Sequence, residues 1–109
     1  MKRVLFICSQ NRFLSPTAEQ VFSSNPALEV ASAGLNTGAQ NPVTPALLDL
    51  AELVFVMEKA HRNKLSKKFR SSLNRKRIIC LDILDEYEYM DPFLVKVLYA
   101  KVSPFLPRK

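Results

Sequence analysis

The chain has 109 residues, 48% of them hydrophobic, which predicts a single domain spanning 1–109 with one core rather than a disordered segment. Its net charge is +6, and its two cysteines, Cys8 and Cys80, form no C-x-x-C pair, so zinc and thioredoxin-like sites are not indicated. No apolar run reaches the ~18 residues of a membrane span, and the one before Cys8 is shorter than the ~7–15 residues of an export signal. We therefore expect a cytoplasmic protein that needs no metal, cofactor or membrane.

The first predicted element is a buried strand at 4–7, an apolar run rich in β-forming residues. Cys8 stands at its end. Ser15 and Pro16 indicate a helix start, with Ser15 as the N-cap and Pro16 as the first helical residue. The loop at 9–14 then wraps between a strand end and a helix N-terminus, where backbone N–H groups and the helix dipole attract an anion. A cysteine that faces such a site is stabilised as a thiolate, which is a nucleophile.

Strands and helices alternate along the rest of the chain. The helix continues to Ser24, and the elements after it are a strand at 28–31, a short helix at Pro45–Leu50, a strand at 52–57, a basic helix from Glu58, a strand at 78–81 and a closing helix at Pro92–Val102. This alternation predicts a parallel sheet with helices on both faces. We predict a flavodoxin-like, three-layer α/β fold whose four strands have the order 2-1-3-4, with a crevice at their C-terminal ends.

The stretch that begins at Val4 resembles the active-site loop of the low-molecular-weight protein tyrosine phosphatases. The matching residues are Cys8, Asn11, Ser15, Pro16, Ala18 and Glu19. It is most similar to a small bacterial branch of predicted tyrosine phosphatases, in which Cys-Ser-Gln-Asn-Arg also opens the loop. The family carries an arginine at the position of Leu14, and a leucine offers none of the paired N–H donors that hold two phosphate oxygens. Arg12 stands two positions earlier, and whether it compensates is open.

The resemblance implies a role for each residue of the loop and of a second motif, Asp91-Pro92-Phe93. Cys8 would be the nucleophile, Asp91 the general acid, and the Ser15 hydroxyl would stabilise the thiolate. The phosphate-binding loop would consist of Ser9, Gln10, Asn11, Arg12, Phe13, Leu14 and Ser15. From the residues alone, Asp91 fits a plain N-cap in front of Pro92, which needs no chemistry.

Two further features follow from the same resemblance. Ser32, in Ser32-Ala33-Gly34, would hydrogen-bond Asn11 and so support the loop from behind, although alone it fits an ordinary turn residue. Leu35 and Phe93 would form the pocket wall.

The leading functional hypothesis is hydrolysis of a phosphomonoester such as protein phosphotyrosine, through a phosphocysteine, weakened because Leu14 replaces the arginine. One alternative is a module that binds phosphate or a phosphoprotein without turnover. Another is polyanion or nucleic-acid binding through 59–77, which has nine Lys or Arg and no acidic residue. His61, the single histidine, is expected on the surface of that basic helix. The sequence leaves the substrate and the oligomeric state open.

Overall fold

The computed structural model describes residues 2–9, 13–36, 38–39, 41–73, 76–84 and 86–106. Its elements in chain order are β1 Lys2–Cys8, α1 Leu14–Phe22, β2 Leu28–Gly34, α2 Pro45–Leu50, β3 Leu53–Val56, α3 Lys59–Lys68, β4 Arg77–Cys80 and α4 Pro92–Val102, followed by a 3₁₀ turn at Ser103–Phe105.

The four strands form one parallel sheet in the order β2-β1-β3-β4. The predicted flavodoxin-like fold and its strand order are therefore confirmed. β1 and β3 are the central strands, and all four residues of β3 are buried, which explains their continuous apolar sequence. Because every strand runs the same way, the end of β1 at Cys8 lies beside the end of β2 at Gly34 and at the same edge as the ends of β3 and β4.

Alternate side chains of the central strands build two separate halves of the core. Val4, Phe6 and Cys8 pack with residues of α1 and α4, whereas Leu5 and Ile7 pack with residues of α2 and α3. Aromatic rings reinforce the first half, where the Phe6 ring centroid lies 5.7 Å from that of Phe22 and 5.1 Å from that of Phe55.

The two cysteines lie on opposite faces of the sheet. Cys8 belongs to the half of the core under α1 and α4, and Cys80 packs against the half under α2 and α3. Neither cysteine takes part in a disulfide bond.

The bounds of two helices are as predicted. α2 has Thr44 as its N-cap, whose side chain accepts a hydrogen bond from the Leu47 N–H, and α4 has Asp91 as its N-cap. β2 extends to Gly34, three residues beyond the predicted end, so Ser32 lies inside a strand rather than after it.

The predicted start of α1 is wrong. The helix begins at Leu14 with Phe13 as N-cap, and Phe13 makes no side-chain capping bond. Ser15 therefore lies within the first turn, where its hydroxyl contacts Cys8 rather than capping the helix. The helix ends at Phe22 and not at Ser24.

Within the described ranges, no helix is long and apolar enough to cross a membrane. α4 has 11 residues, compared with the ~20 that a bilayer requires.

Candidate active site

Cys8 and Ser15 form the centre of the candidate site. The Cys8 Sγ lies 2.8 Å from the Ser15 Oγ, and either atom can be the donor. The Ser15 Oγ also lies 3.5 Å from the backbone oxygen of Ala33, which can accept its proton. A Cys8 thiol can thus donate to Ser15, whereas a thiolate can accept the Ser15 proton. The hydroxyl can serve both protonation states.

The contact with Ser15 places the Cys8 sulfur at the first turn of α1. Ser15 is fully buried in the first turn of the helix, and Cys8 is 6% exposed. The first turn is where the helix dipole favours a negative charge most strongly. The Ser15 hydroxyl and the N-terminus of α1 are therefore both placed where they can interact with the Cys8 sulfur.

The second cysteine has a different environment. Burial raises the pKa of the Cys80 thiol, although a backbone hydrogen bond from Asp82 acts in the opposite direction. Near neutral pH, Cys80 is therefore a poorer nucleophile than a cysteine exposed to solvent.

Backbone hydrogen bonds join the loop that follows Cys8 to the loop that follows β2. The backbone N–H groups of Leu35 and Asn36 donate to the carbonyl oxygens of Cys8 and Ser9, both at 2.9 Å. The Ser9 hydroxyl also lies 2.7 Å from the Nε2 of His61. These contacts fix the first residues of the predicted phosphate loop to neighbouring elements.

His61 is not the surface residue that the sequence suggested, because it is only 8% exposed. It occupies the third position of α3, in a capping box with Glu58 that turns the imidazole back toward the start of the helix. Glu58-x-x-His61 has the three-residue spacing of a capping box but not its usual residue types, which are Ser or Thr followed by Glu or Gln. The many basic residues around His61 suggested an exposed helix face instead.

Two hydrogen bonds of Thr17 connect the loop before α4 to Phe13, in the predicted phosphate loop. The Thr17 hydroxyl donates to the backbone oxygen of Phe13 at 2.6 Å and accepts from the backbone N–H of Met90 at 2.8 Å. Asp91 follows Met90 directly, so this bond holds the Asp91 segment against the first turn of α1. Sequence reasoning missed Thr17, although a threonine in a first helical turn often bonds a carbonyl four residues earlier.

Asp91 is the N-cap of α4, and its Oδ1 accepts a hydrogen bond from the Phe93 N–H at 2.9 Å. Asp91 therefore does cap α4, as the residues alone suggested. Capping occupies one lone pair of a carboxyl group that has several, so it leaves acceptor capacity for other work. The Phe93 side chain is 69% exposed, and its place in the pocket wall stays a prediction.

The predicted support of the loop by Ser32 is only partly within the described residues. The Ser32 hydroxyl donates to the Glu19 carboxylate at 2.5 Å, and the Ser32 carbonyl accepts from the Asn41 side chain. Its predicted partner Asn11 lies outside the described residues, as do Gln10 and Arg12. The pairing of Asn11 with Ser32 stays a prediction.

Leu14 and Leu35 both lie in the core. Leu14 is 1% exposed and belongs to the same buried cluster as Cys8. Leu35 is 2% exposed and packs in the other half of the core with Leu48, and its place in the pocket wall stays a prediction. β2 continues to Gly34, which turns the next side chain inward.

Several solved structures have the same fold. The tyrosine phosphatase Wzb from Escherichia coli K30, in complex with phosphate, superimposes with a TM-score of 0.77 at 19% identity, covering 95% of each chain. The low-molecular-weight protein tyrosine phosphatase from T. tengcongensis gives a TM-score of 0.74 at 20% identity, covering 97% of this chain and all of the other. This chain has the fold of the low-molecular-weight protein tyrosine phosphatases.

The same fold includes phosphatases with a different substrate. The YwlE arginine phosphatase from Geobacillus stearothermophilus gives a TM-score of 0.65 at 20% identity, covering 95% of this chain and 85% of the other. No protein-family model matches the sequence, and no curated protein gives a significant match. The structural matches, by contrast, confirm the fold that the loop resemblance implied.

Proposed function

We propose that this chain hydrolyses a phosphomonoester through a phosphocysteine intermediate, at a low rate. The observation that carries the proposal is the contact between the Cys8 Sγ and the Ser15 Oγ, at the N-terminus of α1 and the carboxyl edge of the sheet. In a flavodoxin-like fold that edge is where ligands bind. The proposal is also supported by the solved structures of the same fold, which include a tyrosine phosphatase and an arginine phosphatase.

In the first step the Cys8 thiolate attacks phosphorus, and the bond from phosphorus to the ester oxygen breaks. Asp91 donates its proton to that oxygen, so the alcohol leaves neutral. Ser15 releases its hydrogen bond as sulfur loses its negative charge in forming the bond to phosphorus, and Asp91 is left as the carboxylate.

In the second step a water molecule attacks the phosphocysteine. The Asp91 carboxylate accepts a proton from this water, the bond from sulfur to phosphorus breaks, and inorganic phosphate and the thiolate are released. The cycle returns both residues to their starting states.

The low rate follows from Leu14. Its apolar side chain supplies no donor to the phosphoryl oxygens, and losing one oxyanion donor typically costs ~3 kcal/mol of transition-state stabilisation. We expect activity at least ~10²-fold below that of the same chain with an arginine there, since ~1.4 kcal/mol is a factor of ten.

The test is aryl-phosphate hydrolysis by the parent, by Leu14→Arg and by Cys8→Ala. A gain with Leu14→Arg and a loss with Cys8→Ala support the proposal. A vigorous parent that gains nothing from Leu14→Arg contradicts the role given to residue 14. A phosphoarginine peptide in parallel distinguishes P–O from P–N cleavage.

A second candidate is a binding module that holds phosphate without turnover. The observation in its favour is Leu14, which is buried in the same core cluster as Cys8 and has no hydrogen-bond donor in its side chain. Saturable phosphate binding by the parent, with no product from any aryl phosphate, would select it. Polyanion binding through 59–77 is separated from both by a salt-dependent gel shift.

A further inference from the structure

His61 links α3 to the residue next to the candidate nucleophile. The His61 backbone N–H donates to the Glu58 carbonyl oxygen at 3.1 Å, and the His61 Nδ1 accepts from the Glu58 backbone N–H at 3.3 Å. Because Nδ1 is an acceptor, the proton of the neutral imidazole is on Nε2. Nε2 is therefore the donor in the 2.7 Å hydrogen bond to the Ser9 Oγ.

The neighbouring turn of α3 makes a parallel contact. Lys64, three residues after His61 and on the same helix face, donates from Nζ to the Asn36 Oδ1 at 2.9 Å. The Asn36 N–H in turn donates to the Ser9 carbonyl at 2.9 Å. α3 thus holds the loops after β1 and β2, and these loops hold each other.

We propose that His61 is a positioning residue for the phosphate loop, whose Nε2–H fixes Ser9 and thereby the start of the loop beside Cys8. Its importance for turnover rests on the proposed function, whereas its hold on Ser9 does not. His61 acts through Ser9, and the capping box determines which ring nitrogen faces the loop.

Two substitutions separate capping from positioning. In His61→Asn, Oδ1 takes the place of Nδ1 and can keep the capping bond, but the shorter side chain does not reach Ser9. In His61→Gln, the amide nitrogen takes the place of Nε2 and can donate to Ser9, but the capping acceptor is lost. A purely structural role predicts that Asn is the milder change, and a positioning role predicts that Gln is.

The first readout is amide hydrogen exchange at Asn36, whose N–H bonds the Ser9 carbonyl. We expect exchange to accelerate about tenfold in His61→Asn and in Ser9→Ala, and to stay within about threefold of the parent in His61→Gln. The Leu81 amide, which bonds the Val56 oxygen on another strand, is the internal control. Combining Ser9→Ala with His61→Asn should add nothing further.

The second readout is inorganic phosphate affinity, which should weaken about tenfold in the same two variants and be retained in His61→Gln. A parent that binds no phosphate defeats the proposed function, while the exchange pattern still decides the role of His61. Unchanged Asn36 exchange in Ser9→Ala, or effects of the two substitutions that multiply, overturns the proposal. Ser9→Ala leaves the cap of α3 intact, so its exchange rate decides the proposal even if a His61 variant fails to fold.

Discussion

The hydroxyl of Thr17 accepts a hydrogen bond from the backbone N–H of Met90, 73 residues away, at 2.8 Å. The same hydroxyl donates to the Phe13 carbonyl at 2.6 Å, in the loop between Cys8 and α1. One buried side chain thus connects the segment that carries Asp91 to the segment that carries the candidate nucleophile.

Replacing Thr17 by valine keeps the shape of the side chain but removes both hydrogen bonds. We expect a loss of roughly 1–2 kcal/mol in the free energy of unfolding and a larger relative loss of aryl-phosphate turnover than of phosphate affinity, because Asp91 is displaced. Urea unfolding and steady-state kinetics measure the two effects. Thr17→Ser keeps the hydroxyl and should stay close to the parent. Equal turnover in Thr17→Val and Thr17→Ser would contradict the link.

Met90 itself has a left-handed backbone, with φ of +61°. A side chain with a Cβ costs ~1–2 kcal/mol in that conformation, and glycine does not. Met90 is 39% exposed, so little packing is lost on substitution. We expect Met90→Gly to leave the melting temperature unchanged or to raise it, and the matched change Tyr89→Gly to lower it. A drop in Met90→Gly as large as that in Tyr89→Gly would show that the backbone strain is not significant.

The contact between Cys8 and Ser15 should be visible in thiol reactivity. Ser15→Ala removes a donor to the thiolate, and hydrogen bonds to charged groups contribute roughly 1.5–3 kcal/mol, so alkylation of Cys8 by iodoacetamide at neutral pH should slow about tenfold or more. Ser23→Ala, at the exposed C-cap of the same helix, is the control. Peptide mapping assigns each rate to its cysteine. An unchanged rate would show that Ser15 does not stabilise the thiolate.

The thiol of Cys80 should react appreciably only at alkaline pH. Because burial raises the pKa of its thiol, less of it is thiolate at any given pH than in an ordinary cysteine, whose pKa is 9.0. We expect slow alkylation of Cys80 near neutral pH and a rise only as the pH passes above that ordinary value. The rates at a series of pH values, measured on the Cys8→Ala variant, test this. A Cys80 that is already reactive at pH 7 would be inconsistent with the effect of burial.

Where local signals agreed, the fold could be predicted from sequence. Thr44 with Pro45 defines the start of α2, and the buried run of β3 at Leu53–Val56 predicts a central strand. The start of α1 was missed because Ser15 and Pro16 have the pattern of a cap, whereas the Ser15 hydroxyl is engaged by Cys8. A local pattern cannot show a partner that the fold brings from a different strand.

For the candidate site, the sequence indicated the motif residues but not the residues that support them. The motif residues Cys8, Ser15 and Asp91 stand out because their types fit a chemistry and their neighbours fit a loop. The supporting residues Thr17 and His61 did not stand out, because their roles depend on bonds to Met90 and Ser9 that no periodicity encodes.

Leu14→Arg places a guanidinium in a position where the side chain is 1% exposed. An unpaired buried charge destabilises the fold, so we expect a lower melting temperature than in the matched change Leu14→Met. Inorganic phosphate should restore it, because a ligand that binds only the folded state contributes ~2.7 kcal/mol at 100 times its Kd. Calorimetry with and without phosphate measures the difference. Equal shifts in Leu14→Arg and Leu14→Met would place the arginine outside the anion site.

The most direct measurement is a single turnover of an aryl phosphate with enzyme in excess, quenched in acid and mapped by mass spectrometry. We expect a transient phosphoryl group on Cys8 and none on Cys80, with aryl alcohol formed no later than the phosphocysteine. Phosphate released by Cys8→Ala at the parent's rate, or a phosphoryl group on any other residue, would contradict it.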